Sequence, residues 1–339
     1  MTTVPSPNFT HLIAMTGPFG TFEHADHGVA RIEHGYCTDD VARVLLVIVR
    51  EPFVTGTLRR LAESSMEFLG LAQASSGEFW NRRLPSGAWW GEPSTEDCWG
   101  RAMWALGTTI ARSPSPGLVS EAHRLFERGA TARSTWPRSM AWAAIGAVEV
   151  LHVEPGNRDA HDLLMAGLNV LDRGDVSHDW QWPEDRLTYA NAALAEAVIA
   201  AGSWLGDERL LGKGLRQLHW LLAMETRSGH LSVTPVGGRG PRDPWRLFDQ
   251  QPIEVAAIAD ASVRAYDVTG DREWLTGLDR AVAWFMGDND AGAEMFDAIS
   301  GGGYDGLTPH GPNLNQGTES TVALLSTLQH ARRFALSFT

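Results

Sequence analysis

Residues 96–132, EDCWGRAMWALGTTIARSPSPGLVSEAHRLFERGATA, contain two kinds of helix joined by a short turn. The first part, 96–112, is apolar around most of its circumference and rich in small residues, which predicts a helix buried on all sides. The second part, 117–132, has one apolar stripe and one charged face, as a helix does when one side meets water. The stretch therefore predicts a buried inner helix followed by a partly exposed outer helix.

The rest of the chain repeats this alternation with helical periodicity. The predicted inner helices are 39–50, 96–112, 137–152, 187–204, 252–269 and 318–333. The predicted outer helices are 54–73, 117–132, 157–172, 207–225 and 272–286, with a short sixth candidate near 7–16. Six outer–inner pairs predict an all-α fold, an (α/α)6 barrel or six-hairpin toroid, as a single domain over residues 1–339. The alternative is an open helical solenoid, and the barrel is favoured because the weak first outer helix needs a closed ring to pack against.

The connections between these helices differ in length. Links from an inner to an outer helix are short, whereas most links from an outer to an inner helix are long: 17–38, 74–95, 173–186, 226–251 and 287–317, with 133–136 as the exception. Long loops in a compact domain are usually functional. Helix N-termini also present free N–H groups and a positive potential. We therefore expect the functional site where the inner helices begin.

Charge and hydropathy exclude several classes of partner. The formal net charge is −13, and no run is rich in Lys and Arg. Nucleic acids and anionic membranes are therefore not expected partners, because both need clustered positive charge. The N-terminus lacks a signal-peptide pattern, and no apolar run is long enough to span a bilayer. We expect a cytoplasmic protein, with a homo-oligomer left open.

The cysteine and histidine patterns do not indicate a metal or cofactor site. Cys37 and Cys98 each lie at the start of a predicted inner helix, so a disulfide is possible, but two buried free thiols are favoured. No CxxC or HExxH pattern occurs. Hydrogen bonding explains His24, His27 and His34 in the first long loop better than metal ligation does. We therefore expect no cofactor and no metal.

Acids, amides and aromatic residues are concentrated at the predicted inner-helix starts and in the long loops. The catalytic candidates are Asp40, Asp97, Asp185, Asp305 and Glu319. The substrate-binding candidates are His34, Tyr36, Asp39, Trp89, Trp90, Glu96, Glu184, Tyr189, Asn191, Gln250, Gln251, Asn315 and Gln316.

Helix capping explains any one of these acids, since Asp and Glu are favoured in a first turn. It does not explain the amide pair Gln250–Gln251, or Tyr189 and Asn191 placed a turn inside a predicted apolar helix. Polar groups in a crowded position need partners. A set of carboxylates, amides and flat aromatic faces is typical of a sugar site.

Several of these stretches resemble a known family. HGYCTDD (34–40), EDCWGRAMWALG (96–107), WPEDRLTYANAALAEA (182–197), FDQQPIE (248–254) and NQGTEST (315–321) are similar to a bacterial family of (α/α)6-barrel, glycosidase-like proteins. The members are often named glycosyltransferases or mannosyltransferases and are encoded near mannoside-active enzymes. The resemblance covers nearly the whole chain and implies a carbohydrate enzyme. No GxGxxG follows a strand here, which argues against a transferase of the doubly wound type.

The residues and the resemblance together predict a glycoside hydrolase that acts on a short neutral oligosaccharide or glycoside, with a mannoside favoured. Such hydrolysis needs one protonated acid and one carboxylate that activates water. We assign Asp97 as the acid and Glu319 as the base of an inverting reaction. The alternatives are a sugar isomerase or 2-epimerase and a non-catalytic glycan-binding barrel. Epimerases of this shape resemble one another in using helix histidines, whereas the inner-helix starts here carry carboxylates.

Overall fold

The computed structural model describes residues 4–174, 177 and 179–335. The described chain divides into two compact units. The first unit is Leu12–Asp172, and the second contains the described residues before Leu12 and after Asp172. Among the described helices, none has the length and apolar character needed to cross a membrane.

The first unit alternates fully buried and half-buried helices, as predicted. Its helices are α1 (Thr10–Ala14, which begins just before the unit), α2 (Thr38–Val49), α3 (Gly56–Ala72), α4 (Asp97–Arg112), α5 (Pro116–Gly129), α6 (Pro137–Val153) and α7 (Arg158–Leu171). Helices α2, α4 and α6 are buried around nearly their whole circumference, and each packs against the next. Helices α3, α5 and α7 bury one face only.

The second unit has the same pattern. Its helices are α8 (Ala192–Leu205), α9 (Glu208–Met224), α10 (Pro252–Thr269), α11 (Leu275–Phe285) and α12 (Thr318–Ala335), and a single 3-10 turn at Arg272–Trp274 precedes α11. Helix α10 packs against both α8 and α12, while α9 and α11 pack outside them. The predicted alternation of inner and outer helices is confirmed in both units.

Two predicted helices were wrong in extent. The helix predicted near 7–16 is only the five residues of α1, because the chain then enters a hairpin of β1 (Thr16–Gly17) and β2 (Gly20–Thr21). The helix predicted for 187–204 begins at Ala192, because Leu187 pairs with Arg239 and Ala190 has a φ of +45°. Tyr189 and Asn191 therefore precede α8 rather than lying inside it.

Short strands join the long connections of the first unit. After the hairpin of β3 (Ala25–Asp26) and β4 (Val29–Ala30), the strands β5 (Tyr36–Cys37), β6 (Arg82–Arg83) and β7 (Trp89–Trp90) form one antiparallel sheet in that order. Strand β5 belongs to the connection before α2, and β6 and β7 belong to the connection before α4. The two connections are therefore hydrogen-bonded to each other where these inner helices begin.

The second unit joins its long connections in the same way. It has two hairpins, β8 (Thr226–Arg227) with β9 (His230–Leu231) and β10 (Gly306–Thr308) with β11 (Gly311–Asn313). Isolated bridges then pair Leu187 with Arg239 and Gln250 with Leu307. The predicted 173–186 connection includes residues 175, 176 and 178, which lie outside the described residues.

Small residues let α4 and α6 approach closely. The backbones of Gly107 and Gly146 face each other, and a Cβ added at Gly146 would overlap the Met103 carbonyl oxygen. At Gly100, an added Cβ would lie 2.5 Å from the Ser139 carbonyl oxygen. Side chains at these positions would have to push two helices apart, so glycine sets the interhelical distance.

We expect Gly146→Ala to lower the free energy of unfolding by about 1–3 kcal/mol, because the added methyl overpacks the α4–α6 contact. The matched control is Gly117→Ala in α5, where an added Cβ meets no atom within 4 Å. That change should be neutral or stabilising by up to about 1 kcal/mol, as alanine is the better helix former. Urea unfolding of the two variants and the wild type measures both. Equal effects of the two substitutions would contradict the close packing.

Candidate functional site

Charged side chains connect the starts of α2 and α4 in the first unit. Arg43 Nη2 donates to Asp40 Oδ1 at 2.7 Å and to Asp39 Oδ2 at 3.2 Å. Arg101 Nε, from α4, lies 3.3 Å from Asp39 Oδ1. We call these four residues the aspartate–arginine cluster. Its arginines were missed from the sequence, although Arg43 follows Asp39 by four positions and Arg101 follows Asp97 by four, the spacing at which helix side chains meet.

The acids of this unit differ in how deeply they are buried. Asp40 is 2% exposed, Arg43 is 6% exposed and Arg101 is 5% exposed, with its guanidinium 3.6 Å from the Trp142 ring centroid. A carboxylate enclosed with a guanidinium is poorly suited to meet a substrate and deliver a proton. Asp97 is only half-buried at the first residue of α4, where Ser139 Oγ donates to its Oδ1 at 3.4 Å.

The aromatic candidates of this unit fall into two groups. Tyr36 is 1% exposed and stacks on Phe22 with ring centroids 4.6 Å apart. Trp89 packs edge-on against Phe68 at 5.2 Å. Both side chains therefore support the loops from within. Trp90 is 65% exposed, and His34 and Glu96 are exposed as well.

Among the described residues, one set of three acidic or thiol side chains has the spacing of metal ligands. The ligand atoms of Glu23, Cys37 and Asp40 lie within 4.8 Å of one another. Arg82 already contacts the Glu23 carboxylate, and Arg43 contacts Asp40, so a cation would compete with two guanidinium groups. Burial also raises the pKa of the Cys37 thiol well above its usual value, which keeps the sulfur protonated. The set fits a metal poorly.

Both cysteines are free and buried. Burial raises the pKa of Cys98 to about 12, and its Sγ lies 3.5 Å from the Phe79 carbonyl oxygen. A thiol in that state is a weak nucleophile.

In the second unit, a buried glutamate anchors the turn before α8. Glu254, in the first turn of α10, accepts hydrogen bonds from the backbone N–H groups of Ala190 and Asn191 and from Asn191 Nδ2 at 3.0 Å. Asn191 is 1% exposed, and its Oδ1 accepts from the Thr188 N–H at 2.9 Å. Asn191 thus fixes the turn, and Tyr189 on the same turn is 38% exposed. The sequence offered no signal for Glu254 beyond an ordinary first-turn acid.

A second buried glutamate lies at the end of α9. Glu225 is 2% exposed and contacts the backbone N–H and the Oγ1 of Thr234, each at 2.5 Å. Burial, and next the nearby charge of Glu254, raise the pKa of Glu225 to about 8. This carboxyl group is therefore mostly protonated at neutral pH.

The raised pKa of Glu225 makes stability depend on pH. Between about 4.5 and about 8 the folded chain holds this proton and the unfolded chain does not, so stability is lost as pH rises through that window. Relative to the wild type, Glu225→Gln should gain stability by up to ~1.4 kcal/mol per pH unit there. Denaturant unfolding from pH 5 to 8.5 measures the difference, with exposed Glu127→Gln as control. A difference that stays constant across this range would refute the assignment.

Gln250 forms hydrogen bonds that join the connection before α10 to the connection before α12. Gln250 Nε2 donates to the Leu247 carbonyl and to Asp290 Oδ2, both at 2.6 Å, and Gln250 Oε1 accepts from Trp284 Nε1 at 3.0 Å. The side chain is fully buried. Asp290 Oδ1 also lies 3.2 Å from His230 Nε2. This arrangement favours a structural role for Gln250 over a sugar contact.

The start of α12 is also held by side chains. Gln316 Oε1 accepts from Ser300 Oγ at 3.1 Å, and the Gln316 carbonyl pairs with His11 Nε2 at 2.7 Å. Asp305 Oδ1 accepts from the Gly317 N–H at 2.8 Å, so this carboxylate is held by the backbone just before α12. Burial lowers the pKa of His11, so its ring is neutral at physiological pH.

The remaining candidates of the second unit lie nearer the surface. Asp185 is exposed, while the half-buried residues are Glu184, Gln251, Asn315 and Glu319. Glu319 occupies the first turn of α12. The structure therefore brings Asp39, Asp40 and Asp97 to the inner-helix starts of one unit, and Glu319 with Asn315 to the start of an inner helix in the other.

Comparisons with known proteins identify the fold. No family model and no curated protein sequence matches this chain. Among solved structures, a sugar epimerase from a ruminal bacterium is similar at 15% identity, with a TM-score of 0.69 over 95% of each chain. A cellobiose 2-epimerase from Spirochaeta thermophila is similar at 12% identity, with a TM-score of 0.66 over 97% of this chain and 94% of that one.

A GH76 alpha-mannanase from Bacteroides thetaiotaomicron is also similar, at 10% identity and a TM-score of 0.63 over 89% of this chain and 88% of that one. Identities this low carry information about the fold alone. The resemblance to the glycosidase-like family therefore stays a prediction as to its naming and gene neighbourhood. The chain has the all-α, (α/α)6-barrel fold that the sequence predicted.

Proposed function

We propose that this chain is a glycoside hydrolase that acts on a short neutral glycan. The observation that carries the proposal is the half-buried carboxyl of Asp97 at the first residue of α4, which accepts a hydrogen bond from Ser139. A general acid must be reachable by the substrate, yet partly withdrawn from water. Asp40 is enclosed, Asp185 is exposed, and Asp305 is engaged by the Gly317 N–H, so Asp97 meets the two conditions better than these acids do.

The proposed reaction needs a second carboxylate. Glu319 is half-buried in the first turn of α12, among residues whose amides and hydroxyls are already ordered. In the reaction, Asp97 protonates the oxygen of the leaving sugar while Glu319 takes a proton from the attacking water. The product has the inverted anomeric configuration, and the two carboxyl groups return to their starting states by proton exchange with water.

The choice of a neutral sugar rests on charge. In the aspartate–arginine cluster, two guanidinium groups balance the charge of two carboxylates. The exposed Trp90 supplies a flat apolar face that suits the C–H side of a sugar ring. Structures with the same fold include a cellobiose 2-epimerase, a D-mannose isomerase and an alpha-mannanase, all named for sugar substrates. A mannoside is the substrate we favour.

A sugar isomerase or 2-epimerase is the second candidate. His230, on the long connection after α9, lies 3.2 Å from Asp290, and its side chain is 18% exposed. A histidine oriented by a carboxylate is a suitable base for removing the proton beside a sugar carbonyl.

One experiment separates these readings. The protein is incubated with manno-, gluco- and arabino-oligosaccharides in D2O, and the reaction is followed by proton NMR. Hydrolysis gives shorter products, and inversion shows as a first-formed anomer opposite to the substrate linkage. Epimerisation gives products of unchanged length with deuterium at C2, which would overturn the hydrolase. Line broadening without any product would indicate a non-catalytic glycan-binding protein.

A further inference from the structure

The sheet β5–β6–β7 has one face that is packed against the protein. On this face lie Tyr36, Arg83 and Trp89, which are directly opposite one another in the strand register. The Arg83 guanidinium lies 4.4 Å from the ring centroid of Phe19, 5.3 Å from that of Trp89 and 5.7 Å from that of Phe68. A cation enclosed by aromatic rings holds the sheet in place.

The other face of the sheet carries a different set. Cys37, Arg82 and Trp90 are opposite one another, so their side chains lie on the same side of the sheet. Arg82 contacts the carboxylate of Glu23, and the Glu23 carboxylate lies within 4.8 Å of that of Asp40. A line therefore runs from Trp90 through Arg82 and Glu23 to the start of α2.

The exposed fraction of the side chains increases along this line from Glu23 to Trp90. Trp90 is 65% exposed, the Arg82 side chain is 41% exposed and the Glu23 side chain is 12% exposed. An exposed indole offers a large, flat apolar face together with one N–H donor, and for this reason Trp is enriched at interfaces. The enclosed Arg83 on the opposite face fixes the sheet that carries Trp90, so this backbone is ordered before a ligand binds.

We propose that Glu23, Arg82 and Trp90, which we call the Trp90 platform, form a binding subsite for a neutral pyranose ring. The indole takes the C–H face of the ring, and the Arg82–Glu23 pair offers donors and acceptors to its hydroxyls. The pair carries no net charge, which disfavours anionic ligands such as a phosphate. This inference rests on the proposed sugar substrate. It adds to that proposal a binding place for a second sugar unit of the oligosaccharide.

The spacing of the strands determines where this second sugar unit binds. Neighbouring strands lie ~4.8 Å apart, so the backbones of Trp90 and Cys37 are separated by roughly 10 Å. That is about the length of a disaccharide. A ring on the Trp90 platform is therefore separated by roughly one disaccharide length from the strand that leads into α2. The platform makes affinity rise with oligosaccharide length.

Calorimetric binding to a length series tests the platform. The probes are manno-oligosaccharides of two, three and four units, with cello-oligosaccharides as a parallel series. Trp90→Ala should weaken binding of the longer members roughly tenfold and of the disaccharide less. Trp90→Phe should recover part of the loss, and Glu23→Gln should weaken the longer members because it disrupts the Arg82 pair. Phe53→Ala is the control, since Phe53 is an exposed aromatic residue at the other end of α2.

The outcomes separate this inference from the proposed function. If the wild type binds the series and all platform variants bind every length as the wild type does, the Trp90 platform is wrong while the sugar substrate stands. A loss that is equal at all lengths would also overturn the subsite. If the wild type binds no member of either series, both the platform and the sugar substrate fail. Thermal unfolding of each variant checks that the substitution leaves the fold intact.

Discussion

Asp97→Asn should lower kcat by about 10²–10⁴-fold on a confirmed glycoside substrate, with little change in substrate affinity. Asparagine keeps the shape of the side chain and the contact with Ser139, but it has no acidic proton for the leaving oxygen. Initial rates at saturating substrate measure the loss. The control is Asp162→Asn on α7, whose carboxyl is 72% exposed in the same unit. Unchanged turnover in the Asp97 variant would remove it from the reaction.

The leaving group separates the two proposed roles. An aryl glycoside whose leaving phenol needs no protonation should restore much of the activity of Asp97→Asn. It should not restore that of Glu319→Gln, because water must still be activated. Rescue of both variants, or of the Glu319 variant alone, would reverse or remove the assignment. Circular dichroism and thermal unfolding check that the half-buried substitutions leave the helices in place.

Arg43→Met should lower the free energy of unfolding by about 3–5 kcal/mol, the largest stability loss that we expect from a single substitution. Arg43 is 6% exposed and contacts both Asp40 and Asp39, at 2.7 and 3.2 Å. Methionine fills a similar space but leaves the Asp40 carboxylate buried without its guanidinium. Chemical denaturation measures the change, and Arg59→Met on the exposed side of α3 is the control.

A double substitution tests the cause. Arg43→Met combined with Asp40→Asn should be more stable than Arg43→Met alone, because the second change removes the buried charge that Arg43 balanced. If the two losses simply add, the interaction between Arg43 and Asp40 contributes little, and the buried charge of Asp40 is not the cause of the loss in Arg43→Met.

The sequence predicted the helices well because the spacing of apolar residues along a helix shows which of its sides are buried. A helix such as α4 or α10 must be apolar on every side to lie between neighbours, and α5 or α9 must be charged on one side to face water. The errors arose where tertiary contacts override local preference. The sequence of residues 187–191 is typical of a helix. In the structure, however, the backbone N–H groups of Ala190 and Asn191 donate to Glu254, more than sixty residues later.

The site was harder to predict than the fold. Sequence alone identifies polar residues at helix starts, but it does not distinguish a side chain that meets a ligand from one that meets its own protein. Gln250 and Asn191 belong to the second kind. The burial of Glu225 and Glu254 could not be predicted from the sequence. Acids are common at helix ends, and whether one is buried depends on contacts with loops that are distant in the sequence. Glu23 and Arg82 become neighbours only through the strand register.

The bridges between the long connections have a consequence for evolution and engineering. Since β5 pairs with β6, and Gln250 pairs with Leu307, an insertion or exchange in one connection shifts the backbone partners of another. New specificity on this scaffold should therefore arise by coordinated change in paired segments. Grafts that transplant residues 17–38 together with 74–95 should fold and express better than grafts of either segment alone.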